Sequence, residues 1–206
     1  RDSITDIANV QYSKIQIYDE QINFSEKMSA DALAAFEGEF SENIDVFMPI
    51  YQFSADPVGT DSIRSVNVVT LGREENWREV LLLHENDTVM LDFPAKNSVI
   101  LTRNVADANK LELGDTVTLR DSDFNDLKLT VSGICDNYFN SYAYISSATY
   151  IEQCPDNVLK TEKGTAEVPY KSAFVCIKDG VDLHEASAAF LKHEKVASVS
   201  VNADTL

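Results

Sequence analysis

The stretch LELGDTVTLRDSDFNDLKLTVSGI, from Leu111 to Ile134, contains two segments in which apolar and polar residues alternate. Every second residue is apolar on both sides of a short polar loop: Val117 and Leu119 before it, and Leu127, Leu129 and Val131 after it. A period of two is typical of a strand that buries one face. Two such strands joined by turn-forming residues predict an antiparallel hairpin, and therefore a β-rich centre of the chain.

The loop of this hairpin partly matches a calcium-binding loop. Asp121, Asp123 and Asn125 occupy its first, third and fifth positions. The sixth position is Asp126 where glycine is required, the twelfth is Ser132 where glutamate is required, and the flanks are strands rather than helices. Because Asp, Ser and Asn are also ordinary turn residues, we interpret the loop as a turn. Alanine at Asp121 or Asp123 should then change the free energy of unfolding by less than about 0.5 kcal/mol.

The composition limits the classes of function. The chain has 206 residues, of which 44% are hydrophobic, enough for a core in one large domain or two small lobes. With 34 acidic and 17 basic side chains, the formal net charge is −17. Such a surface repels phosphate backbones and anionic lipids, so no nucleic-acid partner is expected and an extracytoplasmic location is favoured.

Neither a membrane span nor a signal peptide is recognisable in the sequence. The longest apolar candidates, VNVV at 66–69 and VLLL at 80–83, are far shorter than the roughly 18 residues that a span needs. The chain opens with Arg1 rather than Met, so we expect it to be a segment of a longer protein.

The cysteines and histidines give no clear site. Cys135, Cys154 and Cys176 are odd in number and form no CxxC pair, so no disulfide framework is predicted, although pairing of two of them stays open. Three histidines are each followed by Glu, but none begins an HExxH motif, and two of them lie nine residues apart on one predicted helix: His84, His184 and His193. We favour ordinary helix histidines over a zinc site, which needs three or four convergent ligands.

No motif for catalysis or cofactor binding is present. The sequence has no G-x-S-x-G elbow, no G-x-G-x-x-G loop and no Walker loop. We therefore assign no catalytic, cofactor-binding or metal-binding residue, predict that the domain is not an enzyme, and expect no cofactor. An aromatic run is interpreted as sheet packing rather than a ligand platform: Tyr138, Phe139, Tyr142 and Tyr144.

Apolar spacing and capping residues predict a β-α-β unit at each end of the chain. The N-terminal part is predicted to contain a helix at 2–11, a strand at 13–24, a helix capped by Ser29, and strands at 46–53 and 63–71. The middle is predicted to begin with a helix from Glu74, which carries Trp77, Val80, Leu81 and His84. Strands at 88–93 and 98–102, a helix to Lys110 and the hairpin follow. A strand at 140–146, a helix capped by Ser147 and a loop at 155–169 complete the middle. The C-terminal part is predicted to contain a strand at 173–178, a helix with an Asp182–Glu185 capping box, and a strand at 196–201. This order indicates an α+β protein, with a terminal lobe at 1–72 and 166–206 and an inserted β-rich lobe at 73–165.

The sequence LTRNVADANKLELGDTVTLRDSD…LKLTVSGICDNYFNSYAYIS resembles the extracytoplasmic domain of FtsX/MacB-type ABC transporter permeases. The matching motifs are Gly114-Asp115, Gly133-Ile134, Asn137-Tyr138 and the strand 142–146. The opening RDSITDIANVQYSKIQIYD is similar to the segment after a membrane helix in large permeases of Gram-positive bacteria. The main resemblance covers roughly 98–150, and both glycines stand where a chain needs a turn or a bulge.

The resemblance implies a MacB-like periplasmic core domain with a porter-like terminal lobe and no catalysis of its own. Its place would be the extracytoplasmic side of the cell membrane, within a multi-pass permease. The implied partners are a cytoplasmic ATP-binding subunit, a second copy of the domain or permease, and an extracellular peptide, lipoprotein or protein. The alternatives are a free-standing secreted binding or adhesion module and, third, an extracellular hydrolase. If the permease interpretation holds, the strands near Ile15 and Val199 should be neighbours, and both ends should leave the domain on one side.

Overall fold

A computed structural model describes residues 15–60, 65–137 and 139–202. These residues fold into two compact units. The first comprises the described part of Arg1–Ile50, with Glu75–Leu82 and Pro169–Leu206, and the second comprises Tyr51–Glu74 and Leu83–Val168. The mixture of helices and strands confirms the predicted α+β class. The predicted helix at 2–11 lies outside the described residues.

The first unit is an antiparallel sheet with two longer helices. In chain order its main elements are β1 (Glu20–Met28), α1 (Ala30–Glu39), the first half of β2 (Ile44–Pro57), β10 (Tyr170–Ile177), α5 (Leu183–Leu191) and β11 (Val196–Val201). The strand order is β11-β1-β10-β2, and each neighbouring pair is antiparallel. β10 therefore lies between β1 and β2, and β1 lies between β10 and β11. Each β-α-β segment thus has a strand of the other β-α-β segment between its own two strands, which is the split β-α-β arrangement.

Capping and aromatic packing hold both helices on this sheet. The Ser29 side chain accepts the Ala32 N–H at the start of α1, and Asp182 accepts the Glu185 N–H at the start of α5, as predicted. Both helices bury aromatic residues in one cluster, in which the Phe36 ring lies 5.1 Å from Phe24, 6.2 Å from Phe190 and 5.0 Å from His193. Full burial of each such ring contributes roughly 1.5–3 kcal/mol, so this cluster is the main core of the first unit.

The second unit is a closed ring of six strands. Its elements in chain order are the second half of β2, β3 (Val66–Leu71), β4 (Ser98–Thr102), α3 (Arg103–Ala108), β5 (Thr116–Asp121), β6 (Asp126–Cys135), β7 (Tyr142–Ser146), α4 (Ser147–Gln153), β8 (Leu159–Lys160) and β9 (Ala166–Glu167). The order β2-β3-β7-β4-β6-β5 closes because β5 pairs again with β2, at Ala55↔Asp121 and Pro57↔Leu119. The predicted hairpin β5–β6 is confirmed, with Val117↔Leu129 and Leu119↔Leu127 in register. Closure leaves the ring no open sheet edge.

The region after β3 differs from the prediction. A 3₁₀ turn at Glu74–Asn76 leads into the four-residue helix α2 (Trp77–Val80), and Leu81 is already extended. The Leu82 N–H donates to the Ile15 carbonyl, so this backbone pairs with another segment instead of continuing the helix.

The predicted strand at 88–93 is wrong. Asn86 Oδ1 accepts the N–H groups of Thr88 and Val89, and these hydrogen bonds bend the chain.

The two units also differ in extent from the predicted lobes. β3 pairs in parallel with β7, so 51–72 lies with the second unit rather than with the termini. Residues 75–82 lie with the first unit, where the Ile17 N–H donates to the Val80 carbonyl. The porter-like character of the terminal lobe stays a prediction. In the described ranges, no helix is both long and apolar enough to span a bilayer.

Candidate functional site

The turn between β5 and β6 is built around one carboxylate. Asp121 Oδ1 accepts the N–H groups of Asp123 and Asn125, both at 2.9 Å, and Asp121 Oδ2 accepts the Asn125 side-chain amide at 3.0 Å. Both carboxylate oxygens of Asp121, the residue at the first position of the calcium-loop pattern, thus accept hydrogen bonds within the turn. Over the residues that the structure describes, no group of three or more acidic, His or Cys side chains could hold a metal.

Next to the turn, Arg120 and Asp126 form a two-pronged ion pair. Arg120 Nε donates to Asp126 Oδ1 at 2.7 Å, and Arg120 Nη2 donates to Asp126 Oδ2 at 3.0 Å. The hydrogen bonds from Arg120 lower the pKa of Asp126, and the same bonds raise the pKa of Arg120. Each charge of this pair neutralises the other, so the negative charge of the turn lies on the Asp121 and Asp123 carboxylates, and Asp123 is exposed.

A largely buried aromatic cluster lies between β2 and α4. Tyr51 and Phe53 share one side of β2, and their ring centroids lie 5.4 Å apart. Tyr150 of α4 meets both rings, at 5.4 Å and 5.6 Å. Burial raises the pKa of the Tyr51 phenol, the Tyr150 hydroxyl lowers it, and the carboxylates of Asp121 and Asp123 raise it further. The acidic turn is therefore close enough to the cluster to act on it electrostatically.

Sequence reasoning did not single out this cluster. The alternation of aromatic residues in YQF at 51–53 was the available signal, but within a predicted strand it indicates only packing. The pairing of β2 with β5 is what brings Tyr51 and Phe53 to the turn, and that pairing joins segments about 65 residues apart.

The glycines of the recognised motif have the structural roles that were predicted. Gly114 adopts a φ of 89°, which favours glycine, and its N–H donates to the Val131 carbonyl at 2.9 Å. Gly133 lies at a register shift between β4 and β6. A Cβ at Gly133 would lie 3.1 Å and 3.2 Å from the two methyl groups of Leu91 and 3.3 Å from Ile100 Cγ1. The motif residues thus shape the ring of strands.

The aromatic run after β6 is divided between core and surface. Tyr144 is buried, whereas Phe139 is 74% exposed, and Tyr138 lies outside the described residues. The buried Asn137 Oδ1 accepts the N–H groups of Phe139 and Asn140, which fixes the turn. The interpretation as sheet packing holds for Tyr144 but not for Phe139.

The histidines do not come together. His193 lies beyond the end of α5, so the prediction that it shares one helix with His184 is wrong. The helix stops because the His193 N–H bonds to the Phe190 carbonyl in a tighter turn, and the His193 ring meets Glu39 at 3.1 Å. His84 also lies outside any helix, in an isolated bridge with Met90.

The three cysteines are free thiols. Cys135 and Cys154 are buried, and Cys176 is partly buried. Burial raises the pKa of Cys135 to about 12, of Cys154 to about 11 and of Cys176 to about 12. Since the thiolate is the nucleophile, these thiols are unreactive near neutral pH.

The two ends of the described chain lie side by side in the first unit. The strand predicted at 13–24 lies later in the chain, at Glu20–Met28, and it pairs with β11 at Ile22↔Val199, which confirms the predicted neighbourhood of the two strands. Beyond this pairing, the Asn202 side-chain amide donates to the Gln16 carbonyl at 2.9 Å and to the Tyr18 carbonyl at 2.8 Å. Segments that continued from either end would therefore start from neighbouring points.

Solved structures similar to this chain include domains of membrane transport proteins. The periplasmic region of MacB from Actinobacillus actinomycetemcomitans is 14% identical, over 89% of this chain and 86% of that one, with a TM-score of 0.49. The extracellular domain of the ABC-type transporter YknZ from Gram-positive bacteria is 14% identical, over 88% of this chain and 99% of that one, with a TM-score of 0.45. No protein-family model and no curated protein sequence matches the chain.

Proposed function

We propose that this chain is a non-catalytic extracytoplasmic domain of an ABC transporter permease, which transmits ATP-driven conformational change to an extracellular substrate or partner. The observation that carries the proposal is the meeting of the two described chain ends, where Asn202 donates to the carbonyls of Gln16 and Tyr18. A domain inserted between two membrane helices must receive and return the chain at one membrane face. Packed helix axes lie roughly 8–10 Å apart, and adjacent chain ends suit that spacing.

The motif roles support the same proposal. The Gly114 turn, the Gly133 bulge and the strand after Asn137 are the features on which the resemblance to FtsX/MacB-type permeases rests. All of them build the six-stranded ring, and none contributes a nucleophile or phosphate cradle. A domain whose recognisable residues are architectural fits a mechanical role better than a catalytic one.

Cysteine labelling of the full-length protein in intact cells tests the location. Glu162→Cys places a thiol on the exposed loop between β8 and β9, and it is combined with Cys176→Ser, because Cys135 and Cys154 are buried but Cys176 is only partly buried. A membrane-impermeant maleimide should label this double variant in intact cells more strongly than it labels the protein with Cys176→Ser alone. Labelling only after cell lysis would contradict the proposal, and recovery of the protein from the culture medium would indicate the secreted module instead.

Purification of the full-length protein from detergent-extracted membranes tests the partner. An ATP-binding subunit should co-purify and hydrolyse ATP. Absence of such a subunit from a preparation that retains the folded domain would contradict the permease assignment.

A further inference from the structure

An exposed aromatic residue occupies a strained position at the tip of the β5–β6 turn. Phe124 has a φ of 63°, in the left-handed region that a bulky side chain rarely adopts, and its side chain is 80% exposed. Glycine or asparagine would relieve the strain and remove the exposed apolar surface. The ring is therefore not explained by folding, and strain retained at a surface position points to a role in recognition.

Two further aromatic residues lie on the strand that pairs with this hairpin. β2 pairs with β5 at Ala55↔Asp121, at the start of the turn, and Phe53 and Tyr51 precede this paired position by two and four residues. Both are partly buried. We call Tyr51, Phe53, Asp123 and Phe124 the turn patch.

The charge around the turn patch selects a cationic occupant. Asp123 is exposed, and Asp121 and Asp123 act on Tyr51. Arg120, which directly precedes the turn, is paired with Asp126, and the other cation of the hairpin, the exposed Lys128, lies within β6. Aromatic faces attract guanidinium and ammonium groups, and neighbouring carboxylates strengthen the attraction. The chain's net charge of −17 disfavours an anionic lipid surface or a nucleic acid.

We infer that the turn patch binds a basic segment of a partner polypeptide. An arginine or lysine of that segment stacks on Phe124 and its charge pairs with the Asp123 carboxylate, and the rest of the segment reaches Tyr51 and Phe53. The inference goes beyond the proposed function and does not depend on it, because all four residues lie in the second unit and the argument uses only their surroundings.

Titration of the ¹⁵N-labelled protein with triarginine amide at low salt tests the inference. Amide signals of 51–53 and 121–125 should shift together. Phe124→Asn should weaken binding about two- to fivefold, the range for one exposed cation–π contact, and should keep or raise the melting temperature. Asp123→Asn should weaken binding by a similar factor.

Two control variants distinguish binding at the turn patch from nonspecific electrostatic binding of triarginine amide to the acidic protein surface. Phe139→Ala removes another highly exposed phenylalanine of the second unit, and Asp107→Asn removes an exposed carboxylate elsewhere in it. Both controls should bind triarginine amide as the wild type does. Equal weakening by the controls, unchanged binding by Phe124→Asn, or the absence of shifts in the turn patch would each overturn the inference.

A membrane surface is the competing occupant for an exposed phenylalanine. Co-sedimentation with phosphatidylcholine vesicles should be absent for the wild type. Co-sedimentation that Phe124→Asn abolishes would overturn the inference in favour of lipid binding.

Discussion

Substitution of Asp121 tests whether the hydrogen bonds of its carboxylate stabilise the β5–β6 turn. The structure gives the Asp121 carboxylate three donors, from Asp123 N–H, Asn125 N–H and the Asn125 side-chain amide, at 2.9–3.0 Å. Side-chain caps of this kind contribute about 0.5–2 kcal/mol. Because Asp121 is partly exposed, we expect Asp121→Ala to lower the free energy of unfolding by about 1–1.5 kcal/mol. The sequence-based expectation of less than about 0.5 kcal/mol is thus replaced for this residue.

Asp123 provides the matched comparison on the same turn. Its side chain is exposed, and the turn uses its backbone N–H rather than its carboxylate. Asp123→Ala should therefore change the free energy of unfolding by less than about 0.5 kcal/mol. Asp121→Asn keeps one acceptor oxygen and should fall between the two alanine variants.

Urea unfolding followed by circular dichroism measures these differences. The midpoint should fall for Asp121→Ala while the slope against urea stays unchanged, which identifies a change in stability rather than in compactness. Thermal scans should give a decrease in melting temperature of roughly 2–6 °C, since one kcal/mol corresponds to about 2–4 °C at this chain length. Equal stabilities for Asp121→Ala and Asp123→Ala would refute the reasoning. A calcium-dependent rise in melting temperature that either substitution abolishes would show that the loop is a metal site after all.

Four further outcomes are expected. Burial raises the pKa of Glu20, whose carboxyl accepts the Ser187 hydroxyl. The stabilising contribution of the neutral carboxyl is fully present below the unfolded pKa and is lost as pH rises through the folded pKa. Glu20→Gln should therefore gain stability relative to the wild type as pH rises above about 4, and a difference independent of pH in urea titrations would contradict this. Asn202→Ala removes the donor of the Gln16 and Tyr18 carbonyls and should lower the free energy of unfolding by about 1–3 kcal/mol, measured by thermal unfolding. A change below about 0.5 kcal/mol would show that these two hydrogen bonds contribute little to joining the chain ends. Gly133→Ala should cost about 1–3 kcal/mol through contact with Leu91, and adding Leu91→Ala should recover part of that loss in a double-mutant cycle; full additivity would show that the two sites are independent. Calorimetry with ATP should detect no binding to the isolated domain, and specific binding that a point substitution abolishes would contradict the non-catalytic assignment.

Local patterns were sufficient for the elements that one segment can specify. The hairpin β5–β6 follows from alternation alone, and α1 and α5 follow from Ser29 and Asp182, whose side chains accept the N–H groups expected of an N-cap. The strand at 196–201 is also confirmed with its predicted bounds. In each case the signal lies within about ten residues and concerns burial of one face or satisfaction of a helix end.

Sequence reasoning failed where a distant segment decides the local conformation. The residues from Glu74 to His84 have helical spacing and an acidic first turn, but the helix stops at Val80 because the backbone at 81–82 pairs with residues near Ile15. The same holds for β3, which lies in the second unit because it pairs with β7, and not because of any feature of its own sequence. Periodicity records which face of a segment is apolar, and it contains no information on which other segment covers that face.

The turn patch also could not be predicted from the sequence. The residues of DSDFND match one metal-ligand pattern, yet the Asp121 carboxylate holds the turn and the Asp126 carboxylate pairs with Arg120. The feature that sequence could not expose is the backbone conformation of Phe124, since nothing in the letters around it requires a positive φ. A phenylalanine at a loop tip is unremarkable in sequence, and it becomes informative only through the positive φ and the exposure that the structure gives it. Strain at Phe124 and the exposed Asp123 beside it are therefore the reasons to test this turn first for a binding partner.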